Sequence, residues 1–355
     1  MTMIRYKIKP LAHHIFDAAK RYMVEDLGYP KSLLDLPYSM SALLRGVLLD
    51  KTLGNLISID DERRVRVAYH GTRKMTEEEI SKTYPDPVDF IGLQSFRYWS
   101  CSSQFEIPYI YIAQQLILDI DEGRLVYPLQ ADLKKEAPVE TQQQAPSSAP
   151  DIEQLYGPQL ASELHLVANS KYARLTEDLH ATINYNFGNF EDGHYFKPFH
   201  KPDLSDFIFQ RTDLIPHLKH LRESGVRLFL MTNSNHHYTN VLMRYAYGAD
   251  WRSLFDLIIY RSKKPQFFLL NTPFSCITDA TLPGETKGVR EMDDSEPLQL
   301  GGEYYGGNLR KLKNDLLGDS EVTYVGDELF GDVVAPASYA QWATIAVVEE
   351  LQEAD

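Results

Sequence analysis

The chain has 355 residues, 43% of them hydrophobic and 24% charged, and carries a formal net charge of −14. That mixture supports a buried core, and the surplus of acid excludes a sequence-independent nucleic-acid binder, which needs a basic footprint to displace counterions. No apolar run approaches the ~20 residues that cross a bilayer and the N-terminus lacks a secretory pattern, so a soluble cytoplasmic protein is expected, as one large domain with an insertion or as two. Cys101 and Cys276 are the only cysteines. They have no zinc spacing and are too few for a disulfide framework, so both are expected to be reduced.

Apolar residues recur at helical spacing from Leu11 to Met23, and Gly28 with Pro30 supplies a stop, which predicts a first helix over 11–27. Three strand-like runs follow, Gly46 to Leu49, Leu56 to Ile59 and Arg64 to Tyr69, with a turn at Asp60, Asp61 and Glu62. Thr76 and Glu79 fit a capping box, and Pro108 opens a helical stretch through Leu118. Between Ala137 and Pro150 there is almost nothing to bury, which predicts a flexible insertion. Helical patterning then runs from Ile152 toward Asp178. No internal repeat is found.

The second half changes character. A helix from Leu214 to Leu221 leads into the apolar run Val226 to Met231, and Leu257 to Tyr260, Val322 to Val325 and Thr344 to Val348 are further such runs, separated by helical stretches such as Asn308 to Leu317. Alternation of this kind predicts an α/β fold with a mostly parallel sheet and crossover helices, where ligands sit beyond the carboxyl ends of the strands.

Three segments at those ends carry candidate chemistry. Thr232, Asn233, Ser234 and Asn235 offer hydroxyls, small polar groups and a helix start suited to a phosphate, or simply a helix cap. Lys263 and Lys264 follow the next strand, where one lysine would neutralise a phosphoryl group and a neighbouring carboxylate, or where both belong to a solvated loop. Gly326, Asp327 and Asp332 end a third strand. Their two carboxylates suit a single Mg²⁺, or else one is a turn aspartate and the other a helix N-cap.

That order resembles motifs two to four of the haloacid-dehalogenase superfamily. The wider text resembles the cytosolic purine (IMP/GMP-type) 5′-nucleotidases, through Leu27–Pro30, Arg45–Val47, Gly54–Leu56, His70–Gly71, Thr232–Ser234 with Tyr238–Thr239, Lys264–Pro265 with Phe267–Phe268, and Tyr324–Asp332. The resemblance implies a Rossmann-like core, assigned to residues 1–74 and 201–355, and an inserted, largely helical cap at 75–200 that contains the flexible 137–150 segment. It implies Mg²⁺-dependent hydrolysis of nucleoside 5′-monophosphates through an aspartyl-phosphate, in a protein able to form homo-oligomers. By the same resemblance Thr232 would bind the phosphoryl group, Lys264 would stabilise its charge, Asp327 would ligand the metal with Asp332 in support, and Asn233 and Ser234 would line the phosphate pocket. Arg174 and Asp178 match cap residues that contact the base, although an i,i+4 surface ion pair explains them equally, and a further cap lysine has no counterpart between Asn184 and Asn189.

The first motif of that superfamily is Asp-x-Asp-x-Thr. Thr2, Met3 and Tyr6 fit its tail, and Met1 falls between the second aspartate and the threonine. The two aspartates, nucleophile and general acid/base, are therefore expected in an intact parent, with this chain clipped at both ends and inactive alone. Two other readings stay open: a pseudoenzyme that binds nucleotide or a partner without turnover, and a phosphatase or phosphotransferase for another phosphomonoester.

Overall fold

The computed structural model describes residues 2–39, 46–89, 95–125, 161–277 and 289–348. The chain divides into two compact units, Lys9–Phe196 and Met1–Ile8 with Lys197–Asp355. This places residues 9–74 with the segment that follows them, whereas the sequence reading assigns 1–74 to the core. The reason is strand pairing, since the strands before residue 74 find their partners within 48–100.

In the Lys9–Phe196 unit, helix α1 (Ile8–Glu25) buries Leu11, Ile15, Phe16, Ala19 and Met23 on one face, as its spacing dictates. Five short strands form an antiparallel sheet: β1 (Leu48–Asp50), β2 (Asn55–Ile59), β3 (Val65–His70), β4 (Arg73–Lys74) and β5 (Tyr98–Ser100), in the order β4-β3-β2-β1-β5. The β1–β2 turn closes on Asp50, whose carboxylate accepts the N–H groups of Thr52 and Leu53. Gly54 completes that turn at φ +66°, and a Cβ there would lie 2.7 Å from the Tyr172 ring. Asp50 is fully buried and is satisfied by a bidentate pair with Arg97 and by the Tyr84 hydroxyl.

Helix α2 (Glu77–Thr83) starts with the predicted Thr76/Glu79 capping box and packs Ile80 into a core of Leu48, Ile57, Ala68, Met75 and Tyr98. Helix α3 (Ile107–Asp121) carries Pro108 in its first turn as expected, and buries ten residues because both its faces are apolar. The helical pattern toward Asp178 is interrupted: α4 (161–168) and α5 (Ala173–Gly188) are separated by a turn in which Ser170 and Tyr172 form local hydrogen bonds. Leu155, Leu160, Arg45 and the whole 137–150 insertion lie outside the described residues. Within the 75–200 span expected to form a largely helical cap, the described residues carry α2, α3, α4 and α5 with the short strand β5, which pairs with β1 outside that span.

In the other unit, α6 (Ile215–Glu223) precedes β6 (Phe229–Met231), α7 (His236–Tyr247) and β7 (Leu257–Tyr260). A short helix α8 (Gln266–Leu269) follows, then β8 (Phe274–Ile277), β9 (Val289–Glu291) and β10 (Glu303–Gly306). The sheet runs β6-β7-β10-β8-β9, with β6, β7 and β10 parallel and β8 and β9 antiparallel. Of the four apolar runs expected in one parallel sheet, only those of β6 and β7 lie in it; its parallel neighbour β10, like β8 and β9, is too short or too polar to be read as a strand from the sequence. Helix α9 (Leu309–Leu312) continues as a π-helical turn over Lys313–Leu317, and β11 (Thr323–Gly326) pairs in parallel with β12 (Ala343–Ala346) in a separate two-stranded sheet. Met231, Ile259, Phe267, Phe274, Leu312, Tyr324 and Trp342 form the core of this unit. The molecule is thus mixed α/β, with a parallel arrangement confined to its second half. Among the described residues no helix is long and apolar enough to cross a membrane.

Candidate functional site

Three loops leave the carboxyl ends of β6, β7 and β11, where the parallel arrangement predicts a site. The first begins with Thr232, whose Oγ1 accepts the Ser234 N–H at 3.0 Å and so keeps its own hydroxyl proton for a ligand. Helix α7 is capped neither by Thr232 nor by Ser234 but by Asn235, whose side chain accepts the Tyr238 N–H at 2.8 Å. Thr232 and Ser234 are both half-buried, and Ser234 has no side-chain partner among the described residues.

Asn233 turns away from this position. Its Oδ1 accepts the Lys264 N–H at 2.8 Å and the Ser262 hydroxyl at 3.0 Å, and its Nδ2 donates to the Lys264 carbonyl at 3.0 Å. The side chain expected to line a phosphate pocket therefore braces the second loop. That loop is unusual in its backbone: Arg261 and Lys263 have φ of +42° and +55°, and the Lys264–Pro265 peptide is cis. Left-handed non-glycine residues cost about 1–3 kcal/mol each and persist where the surroundings fix them. Here the fixing bonds run to the first loop, from Arg261 N to Ser234 O, Ser262 N to Thr232 O and Lys264 N to Asn233.

Lys264 is the centre of the site. Its side chain is 8% exposed, and its ammonium donates to Asp332 Oδ1 at 2.6 Å, to the Tyr324 hydroxyl at 2.8 Å and to the Met231 carbonyl at 3.3 Å. An ammonium has three protons, so all are engaged. Burial pushes this lysine down, but Tyr324 and Asp332 outweigh it and hold the ammonium above its ordinary value. Lys264 thus contributes a fixed positive charge and is no solvated loop residue.

The third loop separates the two aspartates. Asp332 is buried, with Oδ1 on Lys264 and Oδ2 accepting the N–H groups of Asp327 and Glu328 at 3.3 and 3.2 Å. Asp327 is half-buried and its Oδ1 accepts both the N–H and the hydroxyl of Thr2, at 3.0 and 2.9 Å. The two carboxylates therefore do not share one open position. Neither caps the following helical turn (Leu329–Val334), a role that falls to Glu328 through Phe330 N and Gly331 N. Gly326 is required for this packing, because a Cβ there would overlap the Asp332 side chain.

The structure so brings Thr2, Thr232, Asn233, Ser234, Lys264, Asp327 and Asp332 to one end of the parallel strands. Tyr324, Ser262 and Glu328 escaped the sequence reading, since a tyrosine inside an apolar strand reads as core. Arg174 and Asp178 belong to the other compact unit, where Arg174 Nε donates to Asp178 Oδ2 at 2.7 Å and the Tyr29 hydroxyl donates to the same oxygen at 3.0 Å. Asp178 is buried, so the pair is no exposed surface bridge. Neither cysteine forms a disulfide among the described residues; Cys101 is buried and Cys276 half-buried.

As to a metal, no group of three His, Cys, Asp or Glu side chains among the described residues is placed to hold one. Mg²⁺ asks for less, taking one or two carboxylates with water and substrate phosphate in the rest of its shell. A single hard carboxylate, Asp327, which already accepts from Thr2, fits such an ion as one of its few protein ligands, whereas a site built from several protein ligands does not fit.

Comparison with known proteins gives concordant results. The chain is 25% identical over 355 residues to a 5′-nucleotidase domain-containing protein of Dictyostelium discoideum, an overlap covering 96% of this chain and 50% of that relative. It is 23% identical over 376 residues to human 5′-nucleotidase domain-containing protein 1, covering 99% of this chain and 70% of the relative, and the bovine protein gives 24% identity. The chain thus spans about half the length of the slime-mould relative. A sequence model described as the 5′ nucleotidase family matches residues 1–354. With that match extending over nearly every residue, including all three strand-end loops, the chain belongs to the 5′ nucleotidase family.

Proposed function

We propose that this chain carries the phosphate-handling site of a Mg²⁺-dependent hydrolase of nucleoside 5′-monophosphates, with purine nucleotides as the preferred class. The observation that carries this reading is the placement of Thr232, Lys264 and Asp327 in the loops that follow β6, β7 and β11, tied together through Lys264 and Asp332, in a chain of the 5′ nucleotidase family. On this reading the unit with β6, β7 and β11 is a haloacid-dehalogenase-type core. The Lys9–Phe196 unit corresponds to the cap, and within it Arg174 and Asp178 are the residues proposed for base recognition.

Each residue then has a defined task. The hydroxyls of Thr232 and Ser234 donate to phosphoryl oxygens, aided by the N-terminus of α7. Lys264, fixed by Asp332 and Tyr324, supplies positive potential without having to reorganise when charge develops. Asn233 and the strained 261–264 backbone hold that lysine in place. Asp327 would hold Mg²⁺, which when bound supplies electrostatic stabilisation of the phosphoryl oxygens.

Hydrolysis by the aspartyl-phosphate route also needs a nucleophilic carboxylate. Asp332 is engaged by Lys264 and Asp327 by Thr2, so neither fills that role. The same observation favours a second reading, binding of nucleotide without turnover.

A panel of purine and pyrimidine monophosphates and sugar phosphates, assayed with and without Mg²⁺ for phosphate release and for binding, tests both. Release from purine monophosphates that Asp327→Asn abolishes supports the hydrolase. Mg²⁺-dependent nucleotide binding without release supports the second reading, and a preference for sugar phosphates sinks the nucleotide assignment.

A further inference from the structure

Next to the first two loops of the site lies a half-buried polar cluster, built around the buried His236 and Tyr260, to which the phosphate reading gives no role. Arg252, in the turn Trp251–Leu254, donates through Nε to Glu303 Oε1 at 2.9 Å. Its two terminal nitrogens donate to Asn240 Oδ1 and to His236 Nε2, each at 2.9 Å. The guanidinium also lies 4.6 Å from the centre of the Trp251 ring. The other oxygen of Glu303 accepts the Tyr260 hydroxyl at 2.6 Å, and the Tyr305 hydroxyl accepts the His236 N–H at 3.2 Å.

The sequence positions of these partners give the cluster its meaning. His236 is the first residue of α7, directly after the Thr232–Asn235 loop, and Asn240 stands one turn further on the same helix. Tyr260 is the last residue of β7, directly before Arg261 and the strained loop to Lys264. Glu303 and Tyr305 belong to β10, the central strand beside β7. One guanidinium thus ties the first turn of α7 to the carboxylate that also holds the end of β7.

His236 must be neutral for this to work, because an arginine donates only and Nε2 has to offer a lone pair. The surroundings agree. Burial pushes His236 down to about 4, with Glu303 opposing and Arg252 and His237 adding to the effect. The groups that face it are Arg252 from the turn, Glu303 and Tyr305 from β10, the Tyr260 ring at 5.2 Å from β7, and His237 on its own helix. A cluster of this kind fixes an orientation that apolar packing of similar volume leaves looser.

We infer that Arg252 is a positioning residue, which through His236 and Glu303 sets the angle of the first turn of α7 and thereby aims the Thr232 and Ser234 hydroxyls at a bound phosphate. The inference rests on the phosphate reading of that loop. It is tested by titrating the full chain with inorganic phosphate in the presence of Mg²⁺ by calorimetry, with folding of each variant followed by circular dichroism. Arg252→Lys keeps a cation for Glu303 but loses the planar fork whose separate nitrogens reach Glu303, Asn240 and His236 at once, and His236→Leu removes the acceptor; each is expected to weaken phosphate about tenfold. His236→Gln, whose amide oxygen accepts the same Arg252 proton, is expected to bind within about twofold of the unaltered protein. The double variant R252K/H236L should be no weaker than the worse single one, because both remove one shared bond. Binding to H236L as tight as to the unaltered chain, or additive losses in the double variant, overturns the positioning role. Absence of phosphate binding by the unaltered chain overturns the phosphate reading itself, a result distinct from either.

Discussion

Replacing Lys264 by methionine keeps most of the side-chain volume while deleting one charge. In the native protein the Lys264 and Asp332 side chains are 8% and 9% exposed, so water cannot take over the lost contact. Asp332 would retain only the N–H groups of Asp327 and Glu328, at 3.3 and 3.2 Å, and the Tyr324 hydroxyl and Met231 carbonyl would each lose a donor. Removing one partner of a buried pair costs about 3–5 kcal/mol because the other charge stays buried. Asp332→Asn in the K264M background removes that charge while the amide oxygen still accepts the two N–H groups, so K264M/D332N should recover at least about 2 kcal/mol. Urea unfolding followed by tryptophan emission reports on the right core, since Trp342 packs within it. Lys264 is held above its ordinary value of 10.5, so the native pair's contribution is complete below that pH and falls only as pH rises through the raised value. A loss under about 1 kcal/mol for K264M at neutral pH, or a double variant less stable than K264M, would refute the argument that burial makes this pair expensive to break.

Three further outcomes are expected. Gly326→Ala should destabilise the second unit by about 1–3 kcal/mol and weaken phosphate binding, since the new methyl overlaps the Asp332 side chain; a thermal melt unchanged from the parent contradicts the packing. His236 binds protons less readily folded than unfolded, so its contribution is complete above pH 6.5 and is lost as pH falls toward about 4. His236→Gln should flatten stability against pH over that window by up to about 3 kcal/mol, and parallel curves for the two proteins would refute this. In the other unit, Asp50→Ala leaves Arg97 and the Thr52–Leu53 turn without their common acceptor, and should cost about 3–5 kcal/mol by chemical denaturation; a change under about 1 kcal/mol would show the pair to be replaceable by water.

Local signals were legible in the sequence wherever a pattern is enforced by near neighbours. The α1 face, the Thr76 capping box, the Pro108 helix start and the apolar β7 run depend on spacing or on caps within a few residues, and each was read correctly. The three segments that meet at the site were recognisable too, because a strand followed by Thr, by Lys or by Gly-Asp is a local pattern. What each side chain does there was not legible. Asn233 reads as a phosphate ligand and is a brace, Asp332 reads as a partner of Asp327 and faces Lys264, and Tyr324 reads as core yet shares the lysine's proton.

Residue spacing by itself therefore determined the longer helices, the apolar strands β6 and β7 and the mixed α/β class. Tertiary structure decided the pairing of residues 48–100 into their own antiparallel sheet, and the choice of partner for each buried charge. The physical reason is range. Helix faces and caps are settled within one or two turns of chain, but a buried charge is settled by whichever opposite group the fold places against it. For Lys264 that group lies 68 positions away in sequence.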